Sequence, residues 1–519
     1  MEKPLSPKCR SALAQSAGYG VTVALVLAPL LCAAVPPLVD YPDYLARAAI
    51  LAQPGASRNY EVAWQIVPNL AFDLVVPWLG ALVGIETAGR LFIALTMAML
   101  MAGTASLHRA LFGRVGWWPL ASALFVYNVA LYFGFLNYLF GLGGTLLCFA
   151  AWVSTGRSPL TARLCLFAVL AGLLFVLHLF AFGLYGLLIG AFELGALTER
   201  GARTRRAALR CAAAFLQFVP AGLLWLTNSS AGEPHYTSYG NLAERYLMML
   251  WPMDFGQFGW QVAPAYAGLA YLAWRGGGLR LDPRMRWPLL AVIVATAAMP
   301  EWLYGSWSAD SRLPVALPFL LIGSMRLSVS KPRLTATIAG FSVFLLVLRV
   351  ATIALVWHEM DRRFAEFRTA AAALPPGSRL LVGRSEMPDR QRRIGGLPLE
   401  LAALNDNTHF HLPELAIIDR DAFVPNFGLQ LAPVRPTLQN RAVQGQASQP
   451  IEIEELVAAL QPDRRAPGEP PYWTDWPHRF DYLLVLDFGN HDNPSPQALQ
   501  PLATGSFFSL YRIVPGRQN

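Results

Sequence analysis

The feature that most constrains this chain is a series of apolar runs that recur from residue 17 to residue 356 and then stop. A helix needs about 20 apolar residues to cross a bilayer, and only helices are expected here because lipid cannot satisfy exposed backbone groups. With 55% hydrophobic and 14% charged residues, the composition indicates a polytopic membrane protein. About 11 spans of this kind are predicted. They lie near residues 17–36, 88–110, 117–133, 137–154, 161–177, 179–198, 207–227, 261–275, 287–303, 313–327 and 335–356.

Basic residues concentrate in alternate loops between these runs. From Glu359 onward the chain has 16 Arg, no Lys and 19 Asp or Glu, which gives this part a net charge of −3. The whole chain carries +8, so the part before Glu359 carries +11. A cytoplasmic N-terminus places every basic loop inside, as the positive-inside rule requires. The other loops and the tail then lie outside, on the periplasmic side of a bacterial inner membrane. No basic patch with interleaved aromatic residues occurs, so nucleic-acid binding is not expected.

One further apolar segment, residues 72–85, does not fit as a span. Counting it would invert every later loop and place the basic loops outside. Asp73 and Pro77 also interrupt it. We therefore expect an interfacial or re-entrant segment within an acidic first outer loop that covers residues 37–87.

The C-terminal tail predicts a small α/β domain. Residues 358–374 have helical spacing, and Pro375-Pro376-Gly377 ends the helix. Short apolar runs at 379–383, 414–418, 481–486 and 507–513 predict strands, and 451–460 predicts a short helix. The fold expected is an all-α membrane domain, residues 1–356, followed by a soluble extracytoplasmic α/β domain, residues 357–519.

The stretch PPLVDYPDYLAR, residues 36–47, carries the most informative polar residues. Asp40 and Asp43 follow the first apolar run directly, where an acid is costly unless it is solvated or used. Such a carboxylate can act as a general base toward a hydroxyl, or can bind a divalent cation such as Mg or Mn. The structural alternative is that Asp43 caps a helix beginning at Tyr44. Arg47 lies one turn beyond Asp43 and is expected to pair with it.

Other polar residues fall on the same predicted face. In the first outer loop, Glu61, Asn69 and Asp73 could bind sugar hydroxyls, although Asn69 could instead cap the interfacial helix. Arg312 suits a phosphate, with an ion pair to Asp310 as the alternative. His411 forms a His-x-His pair with His409, which alone is weak evidence for metal. The further substrate-binding candidates on this face are Asn137, His178, Arg245 and Asp310.

These residues resemble the GT-C superfamily of polytopic membrane glycosyltransferases. In that superfamily the first outer loop carries one or two acids directly after the first span, as Asp40 and Asp43 do here. The resemblance covers roughly residues 20–330 and extends to an uncharacterised bacterial branch. Besides PPLVDYPDYLAR, the motifs that carry it are WQIVPNLAFDL, FLNYLFGLG, HLFAFGLY and SRLPVALP. The familiar acid pair is often adjacent, whereas two residues intervene here.

The resemblance implies a membrane glycosyltransferase. Asp40 or Asp43 would be the catalytic base or a metal-linked acid, and Arg312 matches loosely the basic residue that meets the donor phosphate. The implied donor is a polyprenyl-phosphate sugar, used at the outer face on a glycan, lipid or protein acceptor, with membrane lipid around the protein.

Three alternatives remain open from the sequence. A polysaccharide ligase or polymerase would share the topology but should have an extended outer loop rich in Arg, whereas the 228–260 loop has only Arg245. A transporter would use acids and broken helices near the membrane midplane, whereas the acids here cluster at one face. A non-catalytic component of cell-envelope polysaccharide assembly would keep the helices without needing the acids.

Overall fold

The structure is a computed structural model. It describes residues 7–65, 68–199, 205–226, 236–241, 249, 251–253, 255, 258–275, 278–303, 306–328, 331–385, 393–394, 397–398, 406–427, 433–445, 449–460 and 471–514. The chain divides into two compact units. Unit 1 comprises residues 1–29, 66–71 and 93–352, and unit 2 comprises residues 30–65, 72–92 and 353–519.

Unit 1 is helical. Its helices, some of which continue into unit 2, are α1 (Pro7–Leu27), α4 (Ile85–Phe112), α5 (Val129–Tyr132), α6 (Leu136–Ser154), α7 (Leu160–Leu177), α8 (Leu179–Glu199), α9 (Arg205–Ala214), α10 (Val219–Leu226), α11 (Phe258–Arg275), α12 (Arg286–Ala298), α13 (Ala309–Ser324) and α14 (Pro332–Ala371). Strands β2 (Leu279–Leu281) and β3 (Met325–Leu327) form a short antiparallel pair.

Six helices in the described part of the chain are long and apolar enough to cross a membrane. They occupy Ala12–Leu31, Ile85–Phe112, Leu136–Ser154, Leu160–Leu177, Leu179–Leu197 and Pro332–Ala371. The mostly helical, multispan class is therefore as predicted. The larger count of about 11 spans stays a prediction.

Glycines in α6 allow close packing against its neighbours. A Cβ on Gly143 would lie 2.8 Å from the Met99 side chain of α4, and one on Gly141 would lie 2.7 Å from Ala181 Cβ of α8. Small residues at such contacts let helix backbones approach closely in a membrane.

The segment predicted as interfacial forms helix α3 (Ala71–Val83). Its first residue, Ala71, belongs to unit 1, and the rest of the helix belongs to unit 2. With 13 residues it is about 20 Å long, too short to span the ~30 Å hydrocarbon core. Its faces differ: Phe72 and Asp73 are buried, whereas Trp78 and Leu82 are 80% and 81% exposed. An apolar exposed face opposite a buried acid is typical of a helix lying at a membrane surface.

Unit 2 contains a five-stranded sheet in the order β10-β11-β9-β4-β8. Its strands are β4 (Leu380–Arg384), β8 (Ile451–Glu452), β9 (Tyr482–Leu486), β10 (Leu499–Thr504) and β11 (Ser509–Ile513). β4 pairs in parallel with β8 and β9, and β11 pairs antiparallel with β9 and β10. Around it lie β5 (Arg393–Ile394), β6 (Leu397–Pro398), α15 (Leu415–Arg420), α16 (Leu438–Arg441), α17 (Ile453–Ala458) and α18 (Trp476–Arg479). The predicted strands at 379–383, 481–486 and 507–513 correspond to β4, β9 and β11.

The strand predicted at 414–418 is wrong. This run is the start of helix α15, preceded by a 3-10 turn at Leu412–Glu414. The helix buries Leu415, Ala416 and Ile417 on consecutive positions, so the run is apolar without showing a helical period. Periodicity does not separate a short buried helix from a short buried strand.

Residues 37–65 and 72–87 of the predicted first outer loop belong to unit 2, and this part contains helix α2 (Tyr41–Ala52) and strand β1 (Tyr60–Val62). β1 pairs antiparallel with tail strand β7 (Val434–Pro436), with Tyr60 opposite Pro436. The buried Tyr60 hydroxyl donates to the carbonyl of Val424 at 3.1 Å, and it accepts from the N–H of Val424 at 2.9 Å. The loop and the tail thus share one core.

Candidate functional site

Unit 2 brings together a set of charged side chains from the first outer loop and the tail, here called the acid cluster. Its members are Asp40, Asp43, Arg47, Asp73, His411 and Glu414.

Helix α2 positions the two acids that the sequence singles out. It begins at Tyr41, with Asp40 at the N-cap position and Pro42 in the first turn. Proline suits this position because its missing N–H would have no partner in a helix. Asp43 also lies in the first turn, where the helix dipole favours a negative charge. The alternative that Asp43 caps a helix starting at Tyr44 is therefore wrong.

Arg47 lies between two carboxylates in the interior of unit 2. Its Nη1 is 3.0 Å from Asp43 Oδ2, the pair expected from the sequence spacing, and its Nε donates to Asp73 Oδ1 at 2.7 Å. The guanidinium also lies 4.5 Å from the ring centre of Tyr44. Burial opposes the guanidinium charge, but Asp73 and Asp43 outweigh it and raise the pKa of Arg47. Two of the three aspartates of the loop are thereby engaged by one buried cation.

Asp40 has a different partner, which comes from the tail. His411 Nε2 lies 3.6 Å from Asp40 Oδ1, and His411 Nδ1 lies 2.8 Å from Glu414 Oε1. Glu414 is buried, whereas the Asp40 side chain is 36% exposed. The sequence analysis did not place His411 or Glu414 in the site. Their three-residue separation within one helical turn is the signal that they interact.

Charge and burial set the protonation of this group. Burial raises the pKa of Asp40 to about 6, against the opposing effect of His411. Burial disfavours the charged form of His411. The charge and hydrogen bond of Glu414, with the charges of Asp40 and Asp43, outweigh this effect of burial. These carboxylates raise the pKa of His411 to about 10. Burial also raises the pKa of Glu414 to about 8, which is below that of His411, so the imidazole holds the proton of this pair more strongly, and Asp40 is mostly ionised at neutral pH.

A second cluster lies in unit 1 around Arg312, a buried residue of α13. Its guanidinium lies 4.3 Å from the ring centre of Phe180 and 5.2 Å from that of Phe135. Nη2 donates to Ser306 Oγ at 2.9 Å, and the Tyr138 hydroxyl donates to the Arg312 carbonyl. We call these residues the arginine cluster. A guanidinium held between aromatic rings is suited to a phosphate ligand.

Four other predicted site residues lie in unit 1. His178 ends α7 and contacts the Tyr138 ring at a centroid distance of 5.4 Å; its Nδ1 accepts from the N–H of Phe180. Asn137 donates to the carbonyl and the side-chain oxygen of Asn69, at 2.6 and 3.0 Å. Asn69 precedes α3 by two residues and is therefore not its cap. Asp310 is buried in the first turn of α13.

Glu61 and Arg245 are the remaining predicted residues. Glu61 on β1 accepts from Arg435 at 2.7 Å and from Arg441 at 2.8 Å, and it joins the loop to the tail. Arg245 lies outside the described residues.

The acid cluster does not provide a metal-binding set. Among the described residues, no group of three or more His, Cys, Asp or Glu side chains could hold a metal ion. Asp43 is bound by Arg47, and Asp40 faces His411, so cationic side chains already occupy the donor carboxylates. His409 packs between Phe488 and Phe507, apart from the partners of His411. No step below uses a metal.

No protein-family model and no curated protein matches this chain. Similar solved structures include ArnT from Cupriavidus metallidurans in the apo state, at 13% identity and a TM-score of 0.48, covering 97% of this chain and 99% of that one. ArnT bound to undecaprenyl phosphate matches at 13% identity and a TM-score of 0.49, covering 96% and 98%. Likenesses this low establish neither the fold nor the activity of this chain.

Proposed function

We propose that this chain is a membrane glycosyltransferase of the GT-C type, which transfers a sugar from a polyprenyl-phosphate donor to an acceptor outside the cytoplasm. The motifs of the first outer loop support the class. The acid cluster in unit 2 supplies a proton acceptor.

The proposal is carried by the difference in exposure and partners between the three aspartates of the loop. Asp43 and Asp73 are bound by Arg47, and their side chains are 17% and 1% exposed. The Asp40 side chain is 36% exposed, more than either of the other two. A general base must reach the proton that it removes, so Asp40 is the acid suited to this role.

In the proposed reaction Asp40 removes the proton from an acceptor hydroxyl. The hydroxyl oxygen forms a bond to the anomeric carbon of the sugar, and the bond between that carbon and the phosphate oxygen breaks. The polyprenyl phosphate leaves with the electron pair. Asp43 and Asp73 would act through Arg47, which fixes helix α2 and thereby the direction of Asp40.

Within unit 1, and taken by itself, Arg312 is proposed as a phosphate-binding residue. Its planar guanidinium can donate two parallel hydrogen bonds to phosphate oxygens, and the rings of Phe135 and Phe180 hold it in place. His178 and Tyr138 lie beside it and would complete the polar surroundings.

The topology that this function requires has a cytoplasmic N-terminus, residence in a bacterial inner membrane, and the tail on the periplasmic side. Basic loops on one face support it. Introduced cysteines in the 199–210 loop should be protected from a membrane-impermeant thiol reagent in intact cells. Labelling of that loop from outside would overturn the orientation.

The test of function is a profile of lipid-linked and finished envelope glycans in a deletion strain. We expect the wild-type gene to restore a missing glycan and Asp40→Asn to fail at equal membrane level. Asp475→Asn is the matched control, because Asp475 is an exposed acid of the tail. If Asp40→Asn restores the glycan fully, the loop is structural, and a transporter or a non-catalytic assembly component explains the chain.

A further inference from the structure

We propose, resting on the function proposed above, that His411 of the tail is a positioning residue for Asp40, held in place by Glu414. The three side chains form a line of carboxylate, imidazolium and carboxylate within unit 2. The tail would therefore act in the reaction itself, in addition to any contact with the acceptor.

The geometry of the imidazole supports this role. Its two nitrogens point at two different carboxylates: Nδ1 at Glu414 Oε1, 2.8 Å away, and Nε2 at Asp40 Oδ1, 3.6 Å away. The first distance is a hydrogen bond and the second is an ion pair. The bond to Glu414 fixes the ring plane and leaves Nε2 directed at Asp40, as a carboxylate orients a histidine in other sites.

Glu414 is suited to holding the ring and to little else. Its side chain is 2% exposed. Within the described part of the chain, its second oxygen, Oε2, has no hydrogen-bond partner. Its interactions are thus concentrated on His411. A buried carboxylate with one cationic neighbour is costly to maintain unless that neighbour stays charged.

The charged groups facing His411 and Asp40 come from two elements. From α2 they are Asp43 and Arg47, and from the turn before α15 the residue is Glu414. Carboxylates dominate around His411, which keeps it protonated. The imidazolium in turn lowers the cost of an ionised Asp40. Without it, Asp40 would be protonated over a wider pH range and would be a poorer base near neutral pH.

The first measurement needs no substrate. The full-length protein is labelled with ring-¹⁵N histidine in lipid nanodiscs, and the nitrogen spectrum is followed with pH. The chain has 8 histidines, so His411→Asn assigns its signals by difference. We expect both ring nitrogens of His411 to be protonated at pH 7.5, and its pKa to fall by about one unit in Asp40→Asn and further in Glu414→Gln.

The second measurement uses the glycan profile at several medium pH values. His411→Gln should lower the restored glycan by about 10- to 100-fold at pH 6.5. Part of the loss should be recovered at pH 8.5, where Asp40 ionises without help. His478→Gln is the matched control. His478 pairs with Asp475, three residues away as Glu414 is from His411, but this pair is exposed.

The outcomes separate the two proposals. A neutral His411 at pH 7.5, or a titration unchanged by Asp40→Asn, overturns the positioning role whatever the glycans show. Full restoration by His411→Gln, with failure by Asp40→Asn, also overturns it and leaves the proposed function standing. Restoration by Asp40→Asn refutes the proposed function, even if the titrations are coupled. A loss in His411→Gln that is equal at every pH indicates a merely structural residue and refutes positioning.

Discussion

The contact of Arg47 with Asp73 gives a prediction about the stability of unit 2. Arg47→Met removes the guanidinium and keeps much of the side-chain volume. It leaves Asp73, whose side chain is 1% exposed, without its 2.7 Å partner. Breaking one side of a buried ion pair typically costs about 3–5 kcal/mol, because an uncompensated charge stays in the interior.

That cost is large enough to measure by thermal unfolding. A domain of 150–250 residues loses about 2–4 °C of Tm for each kcal/mol, so a fall of about 6–20 °C is expected. Intrinsic tryptophan fluorescence of the purified protein in nanodiscs reports the transition. The surface variant Arg362→Met is the control, since its pair with Glu359 at 3.2 Å has an arginine that is 72% exposed and should contribute little.

The double variant Arg47→Met with Asp73→Leu tests the cause. Replacing both charges by apolar groups removes the buried carboxylate, so the double variant should be more stable than Arg47→Met alone. Asp43 remains, but its side chain is 17% exposed and can be hydrated. Two results would contradict the importance of this ion pair. One is that the free-energy changes of the two substitutions simply add in the double variant. The other is that the Tm of Arg47→Met lies within about 2 °C of the wild-type Tm.

Three further predictions concern the clusters and their support. Because burial raises the pKa of Asp40 to about 6, glycan transfer should fall about tenfold per unit as the outside pH drops below 6; a flat profile from pH 4.5 to 7 would contradict its role as base. Arg312→Lys should weaken binding of a polyprenyl phosphate by about 10- to 100-fold, since an ammonium lacks the planar fork, and Arg312→Gln should weaken it further; equal binding by arginine and lysine in a titration with the purified protein would argue against a phosphate role. Gly89→Val should reduce both glycan transfer and Tm, because the added side chain would displace α2. A Cβ at residue 89 would lie 2.3 Å from the Tyr41 hydroxyl and 2.8 Å from Leu45 Cδ2. Gly20→Val is the control, since a Cβ at residue 20 would meet nothing within 4 Å.

The sequence predicts those parts of the fold that depend on local pattern. Long apolar runs predict the spanning helices, and the interruption of residues 72–85 by Asp73 and Pro77 predicts a segment that is not a span. Short apolar runs separated by loop-forming residues predict strands β4, β9 and β11. The run at 414–418 was misassigned because four consecutive apolar residues have no period to read.

The candidate site was predicted only where its members are close in sequence. The spacing of Asp43 and Arg47 predicts their pair on α2. His411 and Glu414 are missed because they lie more than 360 residues from Asp40, and no local rule joins segments so far apart. Asp73 was placed in the same loop, but its partner Arg47 could not be identified, since that contact depends on how α2 and α3 pack.

The pairing of β1 with β7 has a consequence for how the protein can be divided. A soluble fragment beginning at residue 357 would lack Tyr60–Val62, the partner of Val434–Pro436. It would also expose the cavity left by the Tyr60 ring, which packs on Phe423 and Phe427. The tail is therefore not an independent module that could be exchanged between proteins. It would have to be inherited, expressed and engineered together with the loop that follows the first helix.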